Sequence, residues 1–183
     1  ILTRDWSSDV CSSDLKNLMN VVTQDNVIIS LSPSHTIEML KNKFIKPVRI
    51  VRAMPNTPAL IGKAMTGVAY DAMEFSFDER EVLDRFFNSF GTYRVVDEKL
   101  MNAVTCASGS SPAYVYMFIE ALADACVKHG MPRTAAYDFV AQTVVGAGEM
   151  VLKTKEHPGL LKDKVCSPGG TTIAGVAALE EHG

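Results

Sequence analysis

Cysteine, basic clusters and long apolar runs are all scarce in this chain of 183 residues. Its four cysteines are Cys11, Cys106, Cys126 and Cys166. They form no CxxC pair, which excludes a zinc ribbon or a disulfide framework and predicts reduced thiols in the cytoplasm. The histidines are equally scattered, so we expect no metal site. A net charge of −3 with dispersed lysines and arginines argues against nucleic acid. No apolar run reaches the roughly 18 residues of a membrane span.

Residues 1–15 do not resemble the rest of the chain. The stretch from Arg4 to Lys16 reads RDWSSDVCSSDLK and contains Ser-Ser-Asp twice. It lacks the alternating carboxylates and the glycine of an EF-hand loop, and it has no apolar segment typical of a secretory signal. The same residues result when a common sequencing-library adapter is translated in one frame. We therefore expect residues 1–15 to be an artefact and the protein's own sequence to begin near Lys16.

Strands and helices alternate in the first half of the chain. The predicted strands are 26–32, 48–51, 64–71 and 92–98, and helical spacing predicts a first helix at 35–44. The clearest helix signal is SFDEREVLDRFFNSFG, in which Ser76 and Glu79 form a capping box and Gly91 ends the helix. This alternation predicts part of an α/β sheet domain.

The second half of the chain is predicted to be all-helical. The segment SSPAYVYMFIEALADACVKHG has Ser111 as N-cap, Pro112 at the first helical position and Gly130 after the last. Because this helix is apolar nearly all round, it is expected to be buried in a core or in a subunit interface. A second long helix is predicted at 133–154, and a third follows the glycine-rich turn near the end of the chain.

Three small-residue segments are placed to bind a ligand. SPGGTTI (167–173) combines two glycines with a helix start whose free N–H groups suit a carboxylate or a phosphate. The same sequence is equally compatible with a plain loop that ends in a threonine N-cap. ASGSSPAY (107–114) reads as a cradle for an anion or a nicotinamide edge, or as an ordinary capped helix; it lacks the second glycine of a hydrolase elbow. VRAMPNTP (51–58) ends a predicted strand, where doubly wound sheets bind ligands, or is a simple Pro-Asn turn.

Taken together, four segments resemble the pyrroline-5-carboxylate reductase family, which catalyses the last step of proline synthesis. The segments are RAMPNTPAL, SGSSPAYVYMFIEALADA, GMPRTAAYDFVAQ and EHPGLLKDKVCSPGGTTIAGVAALEE. The resemblance implies the C-terminal part of a Rossmann NAD(P)-binding domain at 16–98 and a helical dimerisation and substrate-binding domain at 99–183. It implies hydride transfer from NADPH or NADH to the C=N carbon of Δ1-pyrroline-5-carboxylate, giving L-proline. It also implies a homodimer that can assemble into rings.

The resemblance assigns roles to individual residues. Thr172 is the expected catalytic residue, because its hydroxyl is placed to hydrogen-bond the ring nitrogen. The implied substrate-binding residues are Glu98, Ser108, Gly109, Ser110, Ser167, Gly169, Gly170, Thr171 and Thr172. The implied cofactor-binding residues are Met54, Pro55, Asn56, Thr57 and Lys164. No metal is implied, because a cyclic imine is already electrophilic.

Two features depart from the family's pattern. The first glycine of the whole chain is Gly62, so no G-x-G-x-x-G turn precedes it, and a βαβ unit needs roughly 30 residues or more. In addition, Ser32-Pro33-Ser34-His35 stands where the family usually has a small Ala-Ala-Gly turn beside the cofactor. We therefore expect a fragment that lacks the first half of the Rossmann domain and the end of its last helix, with negligible turnover on its own.

Two other readings stay open. A β-hydroxyacid dehydrogenase shares the plan of a Rossmann domain followed by helices. Such an enzyme ordinarily has a lysine in the first long helix of its helical domain, where this chain has only Lys128, at the far end. A non-catalytic helical dimerisation module is the other alternative, and it is compatible with the apolar helix and the missing half of the cofactor site.

Overall fold

The computed structural model describes residues 18, 19 and 21–182, so the expected artefact at 1–15 lies outside the described residues. The chain divides into two units, one up to Val115 and one from Tyr116. The first unit contains a sheet with helices on both faces, and the second unit is helical. The predicted order of an α/β part followed by an all-α part is confirmed.

A mixed sheet of four strands forms the first unit. The strands lie side by side in chain order: β1 is Val27–Ser30, β2 is Arg49–Met54, β3 is Ala64–Ala69 and β4 is Gly91–Val95. β1 and β2 are parallel, β2 and β3 are antiparallel, and β3 and β4 are parallel. All four predicted strands are confirmed, with their ends shifted by a few residues. Because β1 and β2 run in the same direction, their carboxyl ends lie at the same end of the sheet.

Both faces of the sheet are covered, because successive side chains of a strand point to opposite sides. One face packs against helix α2, Phe77–Asn88, through Val51, Ala53, Val68, Phe75, Leu83 and Phe87. The other face carries Ile50 and Met54, and helix α1, Ile37–Lys41, packs there through Leu40. The predicted capping box of α2 is confirmed: Ser76 and Glu79 each accept a backbone N–H of the other.

Gly67 lets the next helix, α3, approach β3 closely. A Cβ atom on Gly67 would lie 2.5 Å from Cγ1 of Val104, the last residue of α3, Met101–Val104. Met101 is also buried against this face. Because α3 packs on the sheet, residues 99–115 belong to the first unit. The predicted domain boundary at residues 98 and 99 stays a prediction.

The helical segment from Met101 to Lys128 contains a π-helical stretch. α3 is followed directly by a π-helical segment, Thr105–Ser110, and then by α4, Ser111–Lys128. The prediction that Ser111 caps a free helix start is therefore wrong, since helix precedes it. Hydroxyl groups stabilise this stretch: Thr105 donates to the Met101 carbonyl at 3.0 Å, Ser108 to Val104 at 3.0 Å and Ser111 to Cys106 at 2.6 Å.

The second unit consists of helices joined by short loops. After α4 come α5, Arg133–Thr154, α6, Pro158–Val165, and α7, Thr171–His182. α4 and α5 pack together around Ala123, Ala136 and Val140. The prediction of α5 is confirmed residue for residue, whereas α6 was not predicted.

Large apolar side chains of α4 stay exposed in the chain by itself. Tyr116 is 58% exposed, Met117 is 68% exposed and Phe118 is 50% exposed. Of the two predicted places for this helix, a core within its own chain is therefore wrong, and a subunit interface stays a prediction. Phe139 of α5, at 65% exposed, adds to the same kind of surface.

Three cysteines of the described part, Cys106, Cys126 and Cys166, are free thiols, whereas Cys11 lies outside it. Over the described ranges, no three metal-ligating side chains come together in one place. None of the helices described there combines the length and the apolar character that crossing a membrane requires.

Candidate functional site

Glu98 ties together three segments at the carboxyl ends of β1 and β2. Its Oε1 atom accepts the backbone N–H of Ile37 at 2.8 Å and Nη1 of Arg52 at 3.0 Å. Arg52 also donates through Nη2 to the Pro33 carbonyl at 2.6 Å. The carboxylate therefore holds the loop after β1, the end of β2 and the segment before α3 in one arrangement. Glu98 was predicted to bind substrate, and its side chain is 28% exposed, so part of it faces solvent.

Arg52 is the cation of this cluster, and the sequence analysis did not single it out. The residue is 5% exposed, and its Nε atom has no hydrogen-bond partner in the described structure. A buried guanidinium requires an opposite charge, and Glu98 supplies it. The available signal was the position of this second arginine of the strand sequence RIVRAM between apolar neighbours, Val51 and Ala53.

The Ser-Pro-Ser-His loop forms a polar cluster just after β1. His35 Nδ1 lies 2.8 Å from the Ser32 hydroxyl and 3.2 Å from the Ser34 hydroxyl. Ser32 itself is 7% exposed. Where the family pattern has small apolar residues, this chain thus places two hydroxyls and an imidazole that satisfy one another.

The predicted cofactor segment, Met54 to Thr57, lies at the end of β2. The Met54 side chain packs in the core with Ala69 and Met101, so only its backbone remains for a ligand. Pro55 and Asn56 are half-buried, and Thr57 is exposed at the start of a short 3₁₀ turn, Thr57–Ile61. The structure therefore offers the Thr57 side chain and the backbone of this segment as its ligand-facing parts.

Asn56 connects the end of β2 to the π-helical segment. Its Nδ2 donates to the Ser108 carbonyl at 3.0 Å, and its Oδ1 accepts the backbone N–H of Met65 at 3.0 Å. Two predicted site segments, 54–57 and 108–110, are therefore brought together. Each polar atom of the carboxamide makes one hydrogen bond within the protein, which leaves the second N–H of Nδ2 and the second lone pair of Oδ1, so the predicted cofactor contact of Asn56 stays a prediction.

Gly109 and Ser110, two predicted substrate-binding residues of the π-helical segment, are both partly exposed. The Ser110 hydroxyl makes no hydrogen bond within the described part of the chain, whereas the Ser108 hydroxyl donates to its own helix. A Cβ atom on Gly109 would lie 3.6 Å from Thr105 Cγ2, an ordinary contact. The packing of the chain therefore does not require glycine at 109.

The glycine-rich turn before α7 is the candidate site of the second unit. Gly169 has φ +67°, in the left-handed region that favours glycine. The N–H of Gly170 donates to the Ser167 carbonyl at 3.0 Å, and a Cβ atom on Gly170 would lie 2.4 Å from the Ser167 hydroxyl. Glycine is therefore favoured at 169 by the backbone conformation, and at 170 a side chain would require the Ser167 hydroxyl to move.

Thr171 and Thr172 are the first two residues of α7 and both are exposed. Neither threonine precedes the helix, which disfavours the plain loop capped by a threonine. Their hydroxyls make no hydrogen bond within the described residues. The first N–H groups of any α-helix lack intrahelical acceptors and carry the positive end of the helix dipole. The structure thus brings five predicted residues, Ser167, Gly169, Gly170, Thr171 and Thr172, into one turn that suits an anion.

Lys164, predicted to bind cofactor, lies in the last turn of α6. Its Nζ atom pairs with Glu156 Oε2 at 2.5 Å, while its side chain remains 55% exposed. The ammonium group is therefore accessible, but a ligand that binds it competes with Glu156.

An α/β sheet with candidate ligand groups beyond its strand ends, followed by helices, is the plan of two-domain nicotinamide-dependent oxidoreductases. A family model described as "Pyrroline-5-carboxylate reductase dimerisation" matches residues 98–183. The pyrroline-5-carboxylate reductase of Escherichia coli K12 is 48% identical over 169 residues, which are 92% of this chain and 62% of the relative. That of Methanosarcina acetivorans is 42% identical over 94% of this chain and 63% of the relative.

Solved structures agree with these relatives. A crystal structure of the Plasmodium falciparum pyrroline carboxylate reductase with NADP bound matches with a TM-score of 0.86 and 35% identity, over 95% of this chain and 69% of that one. The Coxiella burnetii pyrroline-5-carboxylate reductase matches with a TM-score of 0.80 and 30% identity, over 92% of this chain and 63% of that one. The chain belongs to the pyrroline-5-carboxylate reductase family, so the β-hydroxyacid dehydrogenase alternative is wrong. It spans about three fifths of the length of the curated relatives it matches.

Proposed function

We propose that this chain carries the substrate-binding part of an enzyme that reduces Δ1-pyrroline-5-carboxylate to L-proline in the cytoplasm. In this reaction a hydride from NADPH or NADH adds to the ring carbon of the C=N bond, and the ring nitrogen, protonated, becomes the amine of proline. The observation that carries the proposal is the turn at 167–172. It joins a left-handed glycine, a helix start and two unpaired threonine hydroxyls in a member of this family.

The turn suits the substrate's carboxylate. The N–H groups at the start of α7 and the helix dipole favour a negative charge, as at other anion sites on helix N-termini. Gly169 and Gly170 remove the side chains that would keep a ligand away from this backbone. The hydroxyl of Thr171 adds a donor, and that of Thr172 bonds the ring nitrogen and orients the imine. In this proposal Ser167 supports the turn, in which a side chain at 170 would require the Ser167 hydroxyl to move.

The first unit, taken by itself, contains further residues predicted to bind substrate. Ser110 offers an unpaired hydroxyl, and Gly109 offers a backbone that a ring can approach closely. Glu98 presents a carboxylate that Arg52 holds in place. A fixed carboxylate suits a protonated cyclic imine, because the two charges are opposite.

The end of β2 fits the nicotinamide part of a cofactor. The residues there that face a ligand are Thr57 and the backbone of Met54 to Asn56, at a strand end of the kind that binds dinucleotides. In the second unit, Lys164 stays a predicted cofactor contact, and a cofactor that binds it competes with Glu156. The cofactor supplies the hydride; the protein's residues hold and orient the two reactants.

The exposed apolar side chains of α4 and α5 support a homodimer. Met117, Phe118 and Phe139 are each at least half exposed, and such surfaces mark interaction sites in soluble proteins. The family model that covers residues 98–183 is itself described as a dimerisation region. We place the twin subunit on this surface, as expected for a homodimer that can assemble into rings.

Calorimetric titration with L-proline tests the proposed site. The reaction product should bind, and pyrrolidine, which lacks the carboxylate, should bind far more weakly. Thr172→Ala should weaken proline binding about tenfold, the effect of one hydrogen bond at a binding site, and Thr172→Ser should restore it because the hydroxyl returns. Absence of proline binding in the unaltered chain would contradict the proposal and favour the non-catalytic dimerisation module.

A further inference from the structure

Pro112 removes the donor that an α-helical pattern would give the carbonyl of Ser108. In an α-helix a carbonyl accepts from the N–H group four residues later, which for Ser108 belongs to residue 112. Proline has no N–H to donate. At a free helix start the missing N–H of a proline has no consequence, because that position has no intrahelical acceptor. Pro112 is not at such a start, since helical residues precede it.

Asn56 supplies the missing donor from another part of the chain. Its Nδ2 lies 3.0 Å from the Ser108 carbonyl, although the two residues are 52 positions apart. The orientation of the carboxamide is determined by both partners. A carbonyl accepts only from the NH₂ group, and the Met65 N–H donates only to the oxygen, so the reversed orientation would lose both bonds.

We propose that Asn56 is a positioning residue, which holds the π-helical segment Thr105–Ser110 against the end of β2 and thereby presents Gly109 and Ser110 to the ligand. The close approach is visible at Gly109, whose added Cβ would lie 4.0 Å from the Met54 side chain. The identity of the ligand rests on the proposed function, whereas the hydrogen bond between Asn56 and Ser108 does not.

This role differs from direct cofactor binding by the Asn56 side chain. A ligand that binds the carboxamide directly would use the second N–H of Nδ2 or the second lone pair of Oδ1, since each atom makes one bond within the protein. A ligand that displaced the bond to Ser108 would remove a contact that the residue four positions later, a proline, cannot replace. A positioning role keeps both bonds when the ligand is bound.

Four variants separate the contribution of the Asn56 side-chain donor from that of a backbone N–H group at residue 112. Asn56→Asp keeps the oxygen that accepts from Met65 but replaces the donor with a second oxygen, which faces the Ser108 carbonyl. Pro112→Ala restores a backbone N–H four residues after Ser108. The double variant Asn56→Asp/Pro112→Ala therefore regains a donor from within the helix. Tyr93→Phe is the matched control, since it removes a hydrogen bond of 2.9 Å to Asp84 elsewhere in the same unit.

The first readout is hydrogen–deuterium exchange of residues 106–113 without ligand. Asn56→Asp should speed exchange there about tenfold, as expected for the loss of one hydrogen bond. The double variant should return to within about threefold of the unaltered chain, and Tyr93→Phe should leave these residues unchanged. Unchanged exchange in Asn56→Asp, or a double variant as fast as Asn56→Asp, would overturn the proposal. Should Asn56→Asp fail to fold, folding of the double variant supports it and failure of both overturns it.

The second readout is the affinity for L-proline. Asn56→Asp should weaken binding about tenfold, and Pro112→Ala should restore it in the double variant. Fast exchange with unchanged proline affinity would overturn the positioning role. If the unaltered chain binds no proline, the proposed function fails, and the exchange of residues 106–113 still decides whether Asn56 holds the segment.

Discussion

Replacing Glu98 by alanine should destabilise the first unit strongly. The change removes the acceptor of two hydrogen bonds and leaves Arg52, which is 5% exposed, as a buried cation without a counter-charge. Breaking a buried ion pair from one side costs about 3–5 kcal/mol. Because the Glu98 side chain is 28% exposed, water weakens this pair, and we expect a loss of about 3 kcal/mol.

Urea denaturation followed by circular dichroism measures this loss. With a slope of about 1–3 kcal/mol/M, the midpoint should fall by about 1 M or more. Glu98→Gln should lose less of its free energy of unfolding, because its amide oxygen still accepts from Ile37 and Arg52. Lys99→Ala is the control, since it removes only a neighbouring exposed pair with Asp97, and it should change little. If Glu98→Ala is no more destabilising than Lys99→Ala, the buried cluster does not hold the strand ends together.

Two further predictions concern a turn and a helix start. Gly170→Ala should distort the turn and weaken proline binding, because its Cβ would lie 2.4 Å from the Ser167 hydroxyl. Gly109→Ala should fold normally, because the nearest contact of its Cβ is at 3.6 Å. Thermal melts compare the stability of the two variants, and calorimetry compares their affinity for proline. The pKa of Glu79 is lowered by the backbone N–H of its capping-box partner and by Arg49, so its contribution to stability is present above its ordinary pKa and lost as pH falls through the lowered value. The melting temperature of the unaltered chain should therefore exceed that of Glu79→Gln at pH 6, and the difference should shrink as the pH falls through the lowered pKa of Glu79. A difference that does not change with pH would contradict this.

Local patterns predicted the elements whose signals lie within a few residues. The capping box of Ser76 and Glu79 and the long helix 133–154 are of this kind. Helix α6 was missed because its start depends on His157, whose ring nitrogen accepts the N–H of Gly159, a capping residue outside the usual set.

Long-range partners account for the larger errors. The segment ASGSSPAY was interpreted as a small-residue segment at the start of a helix, yet residues 107–110 are already π-helical. Asn56, 52 residues away from Ser108, bonds the Ser108 carbonyl of this segment. The burial of Arg52 depends on Glu98, which is 46 residues away. Neither pairing has a local signature. The turn at 167–172 was predicted correctly as a unit because all of its residues are neighbours in sequence.

The most direct test of the proline site is amide NMR of the ¹⁵N-labelled chain titrated with L-proline. Saturable shifts should be largest at the backbone N–H groups of Gly169 to Ile173, and Thr172→Ala should reduce them. Pyrrolidine should produce much smaller shifts there, because it lacks the carboxylate that the helix start binds. An absence of shifts, or shifts confined to residues outside the turn, would contradict proline binding at the start of α7.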